Sequence, residues 1–277
     1  MVAFYPEKHE YKSLDVLEGI DWVSVTTLVG AFKNIFRAVH QAEKSSENKK
    51  SKWYGLEPDE ILQVWLAEAT RSTTLGSWYH GERESELLAC DTIELYGKHI
   101  PIISPIIQDG IKIAPEQKLT EGVYPEHMVY LKTVGICGQV DYVEVVDNFL
   151  NIDDYKTGKE IKTESYRNWE GISKKMLPPL AHVEDCNIVH FGLQLSFYMY
   201  IILKHNPQLK AGNRTIRHII FEQEGRDKYD NPITKLDDMG NPIVKDVVPY
   251  LVPYYKREVE IVFDWLKNNR NKLKKEL

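Results

Sequence analysis

Gly138 to Thr157 reads GQVDYVEVVDNFLNIDDYKT, and how this stretch is read decides the fold. Asp147 and Asn148 tolerate the positive φ that a two-residue hairpin turn demands. The stretch therefore reads as two antiparallel strands that reverse there. Counting outward, Val146 faces Phe149, Val145 faces Leu150, Val143 faces Ile152 and Asp141 faces Asp154. Side chains alternate between faces. Asp141, Val143, Val145, Leu150, Ile152, Asp154 and Lys156 thus share one face, and Tyr142, Glu144, Asn151, Asp153 and Tyr155 the other. The first face is apolar near the turn and should point to the core. Its open end carries two aspartates and a lysine.

That end is physically odd. Opposed residues on one face have Cβ atoms ~5 Å apart, and like charges there repel. Inward carboxylates also need partners. A divalent cation resolves both costs, and Mg²⁺ or Mn²⁺ prefers oxygen ligands. Lys156 lies roughly 7 Å beyond Asp154 along the same face, within reach of whatever the cation holds. The plainer alternative is a solvated face with an ordinary Asp–Lys ion pair. Val143, Val145, Leu150 and Ile152 weigh against it. A one-residue slip in register would reverse the faces.

The 277 residues are 43% hydrophobic and 27% charged, enough for one substantial core. A net charge of -6 does not announce a nucleic-acid partner, so any such surface must be local. Cys90, Cys137 and Cys186 are widely spaced. They support neither a disulfide framework nor a cysteine-rich zinc or iron–sulfur site. No apolar run of about 18 residues occurs, and the N-terminus lacks a signal-peptide core. The expectation is a cytoplasmic protein with no membrane partner.

Working outward, residues 1–23 read as a short strand and loop. One helix is expected over LVGAFKNIFRAVHQAEKS, capped by Ser24 or Thr26. Two more follow: EPDEILQVWLAEAT behind Pro58, and about Thr74 to Ala89. The second puts His80, Glu84 and Leu87 on one face. Residues 91–125 are strand-like, EQKLT from Glu116 reads as a short strand, and His127 to Ile136 as another. Beyond the hairpin, residues 159–187 mix Lys159, Lys162, Arg167, Lys174 and Lys175 with Tyr166 and Trp169. Such a segment suits single-stranded nucleic acid and equally suits a surface excursion anchored by its aromatics. Ile188 to Lys204 is a buried helix with His190, Gln194 and Tyr198 along one side. Gln194 and Tyr198 need partners there, either a core strand or a nucleotide. Arg214 to Glu224 reads as a strand, two Asn-Pro turns as an exposed hairpin, and Pro253 to Leu277 as an amphipathic helix with a basic end.

The ordered set Gly138-x-x-Asp141, Asp154-Tyr155-Lys156-Thr157 and Gln194-x-x-x-Tyr198 resembles the RecB-like branch of the PD-(D/E)XK nucleases. Gly76-Ser77-Trp78-Tyr79-His80 resembles that family's G-x-x-x-H helix. Ser24-Val25-Thr26-Thr27 resembles an element of the branch holding the mitochondrial genome maintenance exonuclease and phage exonucleases. The resemblance implies a restriction-endonuclease-like α/β fold, a central mixed sheet flanked by helices. It implies a single nuclease domain over 1–277: an N-terminal helical lobe (1–90), a catalytic core (91–224), then a hairpin and C-terminal helix (225–277). It makes His80 a metal ligand with Asp141, Asp154 and the backbone carbonyl of Tyr155. Lys156 and Glu116 join Asp141 and Asp154 as catalytic residues. Gln194, Tyr198, Lys174, Lys175 and Trp169 would contact DNA.

The implied activity is Mg²⁺- or Mn²⁺-dependent phosphodiester hydrolysis leaving a 5′-phosphate. The implied enzyme is an exonuclease preferring single-stranded ends, in recombination, repair or replication, phage-encoded or working beside other replication proteins. Related adaptation and helicase-associated nucleases carry an iron–sulfur cluster on four cysteines. With three cysteines, this chain is expected to have none. The competing expectation is an inactive nuclease-fold protein that binds DNA as an accessory. An NTPase is rejected because Thr157-Gly158-Lys159 lacks the full phosphate loop, and a zinc hydrolase because no H-E-x-x-H occurs.

Overall fold

A computed structural model describes residues 2–5, 10–14, 19–114 and 116–273. The elements run β1 (Val2–Tyr5), β2 (Glu10–Ser13), β3 (Val23–Ser24), α1 (Val25–Gly30), α2 (Ala38–Glu47) and α3 (Pro58–Leu88). Four short strands follow: β4 (Thr92–Leu95), β5 (Lys98–Pro101), β6 (Ile106–Gln108) and β7 (Ile111–Ile113). Then come β8 (Gly122–Leu131), β9 (Ile136–Val146), β10 (Phe149–Lys156), α4 (Asn187–His205) and β11 (Lys210–Phe221). The chain closes with β12 (Gln223–Arg226), β13 (Pro232–Thr234), β14 (Val244–Leu251) and α5 (Lys256–Leu273).

The central sheet is mixed, in the order β14-β11-β10-β9-β3, with β8 also paired to β9. β10 and β11 are parallel, joined through α4 as parallel neighbours require a crossover. The hairpin has the expected register: Val146 meets Phe149, Val145 meets Leu150 and Val143 meets Ile152. Its turn residues have φ of 52° at Asp147 and 63° at Asn148, the left-handed pair of a type I′ turn. Leu150 and Ile152 are fully buried, each stabilising the fold by about 1.5–3 kcal/mol. They pack with Leu193, Phe197 and Met199 of α4, and α1 and α5 join the same core. On the opposite face Tyr155 packs with Leu75 and Tyr79 of α3 and with Ile219 and Phe221 of β11. Helices therefore flank both faces of the sheet.

Several boundaries differ from expectation, each for a tertiary reason. The first expected helix breaks into α1 and α2. Ser24 caps α1, its hydroxyl accepting from the Thr27 amide at 3.0 Å. The helix ends at Gly30, and four residues on, the Asn34 side chain donates to Lys175 O and Asp185 Oδ2, both at 2.7 Å. The next two expected helices are one, α3, about 46 Å long at 1.5 Å per residue. Its poor formers Ser72 to Thr74 stay helical because Arg71 pairs with Glu68 and reaches Thr234, while Thr73 bonds back to Ala69 O.

The N-terminal 90 residues are not purely helical. β3 joins the central sheet, and β1 and β2 form a second sheet with β6 and β7. Glu116 to Thr120 form no strand. β8 starts before His127, running through Pro125, which an outer strand of a sheet accepts because one edge needs no donor. The strand expected to continue to Ile136 stops at Leu131, where a 3₁₀ turn over Lys132–Val134 intervenes. The last residues of the C-terminal basic run, 274–277, and part of the N-terminal segment lie outside the described residues. No helix among those described is long and apolar enough to cross a membrane.

Candidate metal centre

The β9–β10 ladder ends at Tyr142 and Asp153. One step further stand Asp141 and Asp154, both buried, where strand pairing gives way to side-chain contacts. The Tyr155 amide donates to Asp141 Oδ2 at 2.6 Å. On the far side of β9, the β8 register brings Pro125 opposite Tyr142 and His127 opposite Val140. Glu126 therefore falls opposite Asp141, and three acids stand on three neighbouring strands. Glu126 has φ of 49°. A non-glycine residue in this region costs about 1–3 kcal/mol and persists where its surroundings fix it. Here Gln139 of β9 donates to Glu126 Oε2, and His80 approaches Oε1 at 3.2 Å.

Two helices bring the remaining groups, one from each face of the sheet. From α3, His80 Nδ1 lies 3.2 Å from Glu126 Oε1 and 3.5 Å from Asp141 Oδ1. Its ring stands edge-on to Tyr155 with centroids 5.6 Å apart. α3 approaches closely at Gly76, where a Cβ would come within 3.1 Å of Thr157 Oγ1. That hydroxyl donates to Ser72 O at 3.0 Å, tying the end of β10 to the helix. From α4, Gln194 Nε2 donates to Asp154 Oδ1 at 3.0 Å. Tyr198 fills the space under Gly138, where a Cβ would lie 2.7 Å from its ring.

Lys156 contacts Asp154 Oδ2 and lies 5.0 Å from the centroid of the Phe191 ring. That buried oxygen accepts no other hydrogen bond among the described residues.

The electrostatics follow from crowding three carboxylates in a buried place. Burial, and then the Asp154 charge, push the Asp141 carboxyl up against the opposing effect of His80. At His80 burial disfavours the cation. The Glu126 hydrogen bond and the Asp141, Glu126 and Asp154 charges outweigh it and lift the imidazole to about 9. Burial likewise disfavours the Lys156 cation, but Asp154 and Asp141 overcome it and raise the ammonium above its ordinary value.

One ligand atom each from His80, Glu126 and Asp141 lie within 4.8 Å of one another. An imidazole nitrogen with carboxylate oxygens suits Mn²⁺ or another divalent ion of similar preference. The residues therefore fit a single divalent ion. Asp154 borders this group but lies outside it, with Gln194 and Lys156 on its two oxygens. Tyr155, expected to offer its carbonyl, is tied to the site through its amide.

Glu116 is not brought to the site. It is exposed in the segment between β7 and β8 and lines the cavity that Glu126 borders, while Glu126 stands with His80 and Asp141. Gln194 and Tyr198 are 9% and 2% exposed, so they brace Asp154 and Gly138 and cannot hold a DNA strand from outside. Trp169 is 91% exposed, on the segment after β10 that folds back through the Arg167–Ser173 and Lys175–Glu184 bridges. Lys174 pairs there with Asp185 at 3.0 Å, and Lys175 lies 3.7 Å from Glu184. The sequence reading missed Glu126 and its brace Gln139. Extending the β8–β9 register through Pro125 would have found both.

No protein-family model matches the chain, and no curated protein does. A solved structure described as the crystal structure of SSO0001 aligns with 97% of this chain and 81% of its own, at 15% identity and a TM-score of 0.31. That likeness is too low to carry any argument.

Proposed function

We propose that this protein is a divalent-metal-dependent nuclease hydrolysing phosphodiester bonds in DNA, on a core of the restriction-endonuclease-like kind. The observation that carries the reading is the row Glu126, Asp141 and Asp154 across three strands, closed by His80 on one side and the Lys156 ammonium on the other. His80, Glu126 and Asp141 would hold Mn²⁺ or Mg²⁺, with Asp154 beside them. The ion supplies Lewis-acid stabilisation of the phosphate and a bound water of lowered pKa.

The chain's own groups do the rest. Lys156 presents a cation fixed by Asp154, placed to meet negative charge developing on a phosphate oxygen. Gln194, Gln139 and the Tyr155 amide each orient one carboxylate, the outer-shell bracing that metal sites depend on. The exposed Trp169 and Tyr166 offer stacking surfaces for unpaired bases, which favours single-stranded ends as substrate.

The test is digestion of linear and circular DNA, single- and double-stranded, with Mn²⁺, Mg²⁺ or chelator. Metal-dependent cleavage of linear single strands is expected. Intact DNA under every metal condition would sink the reading. The competing reading, a metal-free DNA-binding module, is favoured by one observation: His80 and Lys156 already neutralise part of the acid cluster without an ion. It predicts DNA binding indifferent to metal.

A further inference from the structure

A cavity of about 280 Å³ opens against Glu126, between β8 and the sheet that holds β6 and β7. Its floor is apolar and buried: Ile113, Leu119 and Met128. Its mouth is open and mixed: Ile106 is 50% exposed, and the exposed Glu116 and Lys118 also line it. α3 fixes the far wall. Glu84, one helical turn beyond His80, binds Lys112 of β7 at 2.6 Å. The helix that supplies the imidazole thus also holds the wall in place.

One side chain in this cavity is unexplained by packing. His127 is 5% exposed and lines the space. Its ring meets the Tyr124 ring edge-on, with centroids 5.3 Å apart. Yet among the described residues it makes no hydrogen bond. Its ring nitrogens keep some exposure toward the cavity, where an entering group can bond them. A neutral imidazole offers one donor and one acceptor.

We propose that this cavity receives the base of the nucleotide whose phosphate lies at the acid cluster. The proposal rests on the nuclease reading and deepens it. A base is flat, apolar on its faces and carries donors and acceptors on its edge. The Ile106, Leu119 and Met128 surfaces match the faces, and His127 matches the edge. The volume of about 280 Å³ falls just below the range of ligand pockets, ~300–1,000 Å³, so it suits one base and not a longer segment. Glu126 borders both the cavity and the ion-binding group. That places a base and its own phosphate side by side.

The experiment compares 2′-deoxynucleoside 5′-monophosphates with 2-deoxyribose 5-phosphate, titrated by calorimetry into the full chain with Mn²⁺. In the sugar phosphate an anomeric hydroxyl stands where the nucleotide has its base. The wild type should bind the nucleotides at least tenfold tighter, the scale of a stacked base. Ile106→Trp, which plugs the mouth, and His127→Phe, which keeps the bulk and removes the hydrogen bonds, should each erase most of that difference. Their binding of deoxyribose phosphate and of Mn²⁺ reports that the variants are folded.

Equal wild-type affinity for both compounds overturns the pocket and leaves the metal centre standing. Nucleotide preference unchanged in both variants overturns it as well. Failure of both compounds to bind with Mn²⁺ present removes the metal-site reading and the pocket together.

Discussion

His80 and His190 both sit on helices, and both meet an aspartate, buried at Asp141 and half-buried at Asp185, yet their surroundings are opposite. At His190 a single acid, Asp185, is surrounded by donors: His190 Nε2 at 2.7 Å, Asn34 Nδ2 at 2.7 Å and Lys174 at 3.0 Å. Burial raises the Asp185 carboxyl, but the hydrogen bonds from Asn34, Lys174 and His190 outweigh it and hold the group below its ordinary value. Burial and the Lys33 charge lower His190 in spite of Asp185. That cluster is complete and serves to tie three segments together. At His80 three acids divide His80, Lys156, Gln139, Gln194 and the Tyr155 amide among them, and the imidazole is lifted to about 9. An excess of buried negative charge, not the mere presence of a histidine and an acid, sets the His80 cluster apart.

The comparison breaks most sharply under substitution. Asp154→Ala and Lys156→Ala should each lower metal-dependent DNA cleavage by about 100-fold or more, the scale of removing one preorganised charge-stabilising group. Circular dichroism should show the fold retained, and activity within twofold of wild type in either variant would contradict the assignment. Next in size, Glu126→Gln should weaken Mn²⁺ binding by about 100-fold or more, while Glu116→Gln leaves it unchanged. Calorimetry on both variants checks which glutamate serves the site.

The pH dependence is smaller and its sign is fixed. With the His80 imidazole raised to about 9, the metal-free fold gains stability that is complete below about 6.5 and lost as the pH rises through 9. The upward shift of Asp141 acts in the same direction. The melting temperature of the metal-free protein should therefore fall from pH 6.5 to 9. Mn²⁺ must displace the His80 proton, so its affinity should rise by about tenfold per pH unit over that range. A flat affinity profile would show that His80 takes no part. The smallest effect belongs to the other cluster. Asp185→Ala strands His190 and Lys174 and should cost about 1–3 kcal/mol of stability, read by urea unfolding, with Mn²⁺ affinity unaltered.

Much of this was legible in the sequence, because its causes are local. Turn chemistry at Asp147-Asn148 and strict alternation set the hairpin register, and with it the meeting of Asp141, Asp154 and Lys156. Helical spacing put Gln194 and Tyr198 on one side of α4. What escaped depends on tertiary context. Pro125 reads as a strand break, although an outer strand tolerates it, and the left-handed backbone at Glu126 has no local signature. The side-chain bonds of Asn34 hold the chain between α1 and α2 in a non-helical path where periodicity alone would continue the helix. Ser72 to Thr74 look like a helix boundary until Arg71 and Thr157 hold the turn in place. Gln194 and Tyr198 were legible as a pair with unmet polar groups, and only the fold shows that they turn inward to Asp154 and Gly138.

The most direct measurement is a calorimetric titration of Mn²⁺ into the purified metal-free protein at pH 7.5, in two buffers of different ionisation enthalpy. One ion should bind per chain, with at least one proton released to the buffer, and Asp141→Asn should abolish the heat. A wild-type protein that takes up no Mn²⁺, or takes it up equally well without Asp141, would contradict the account.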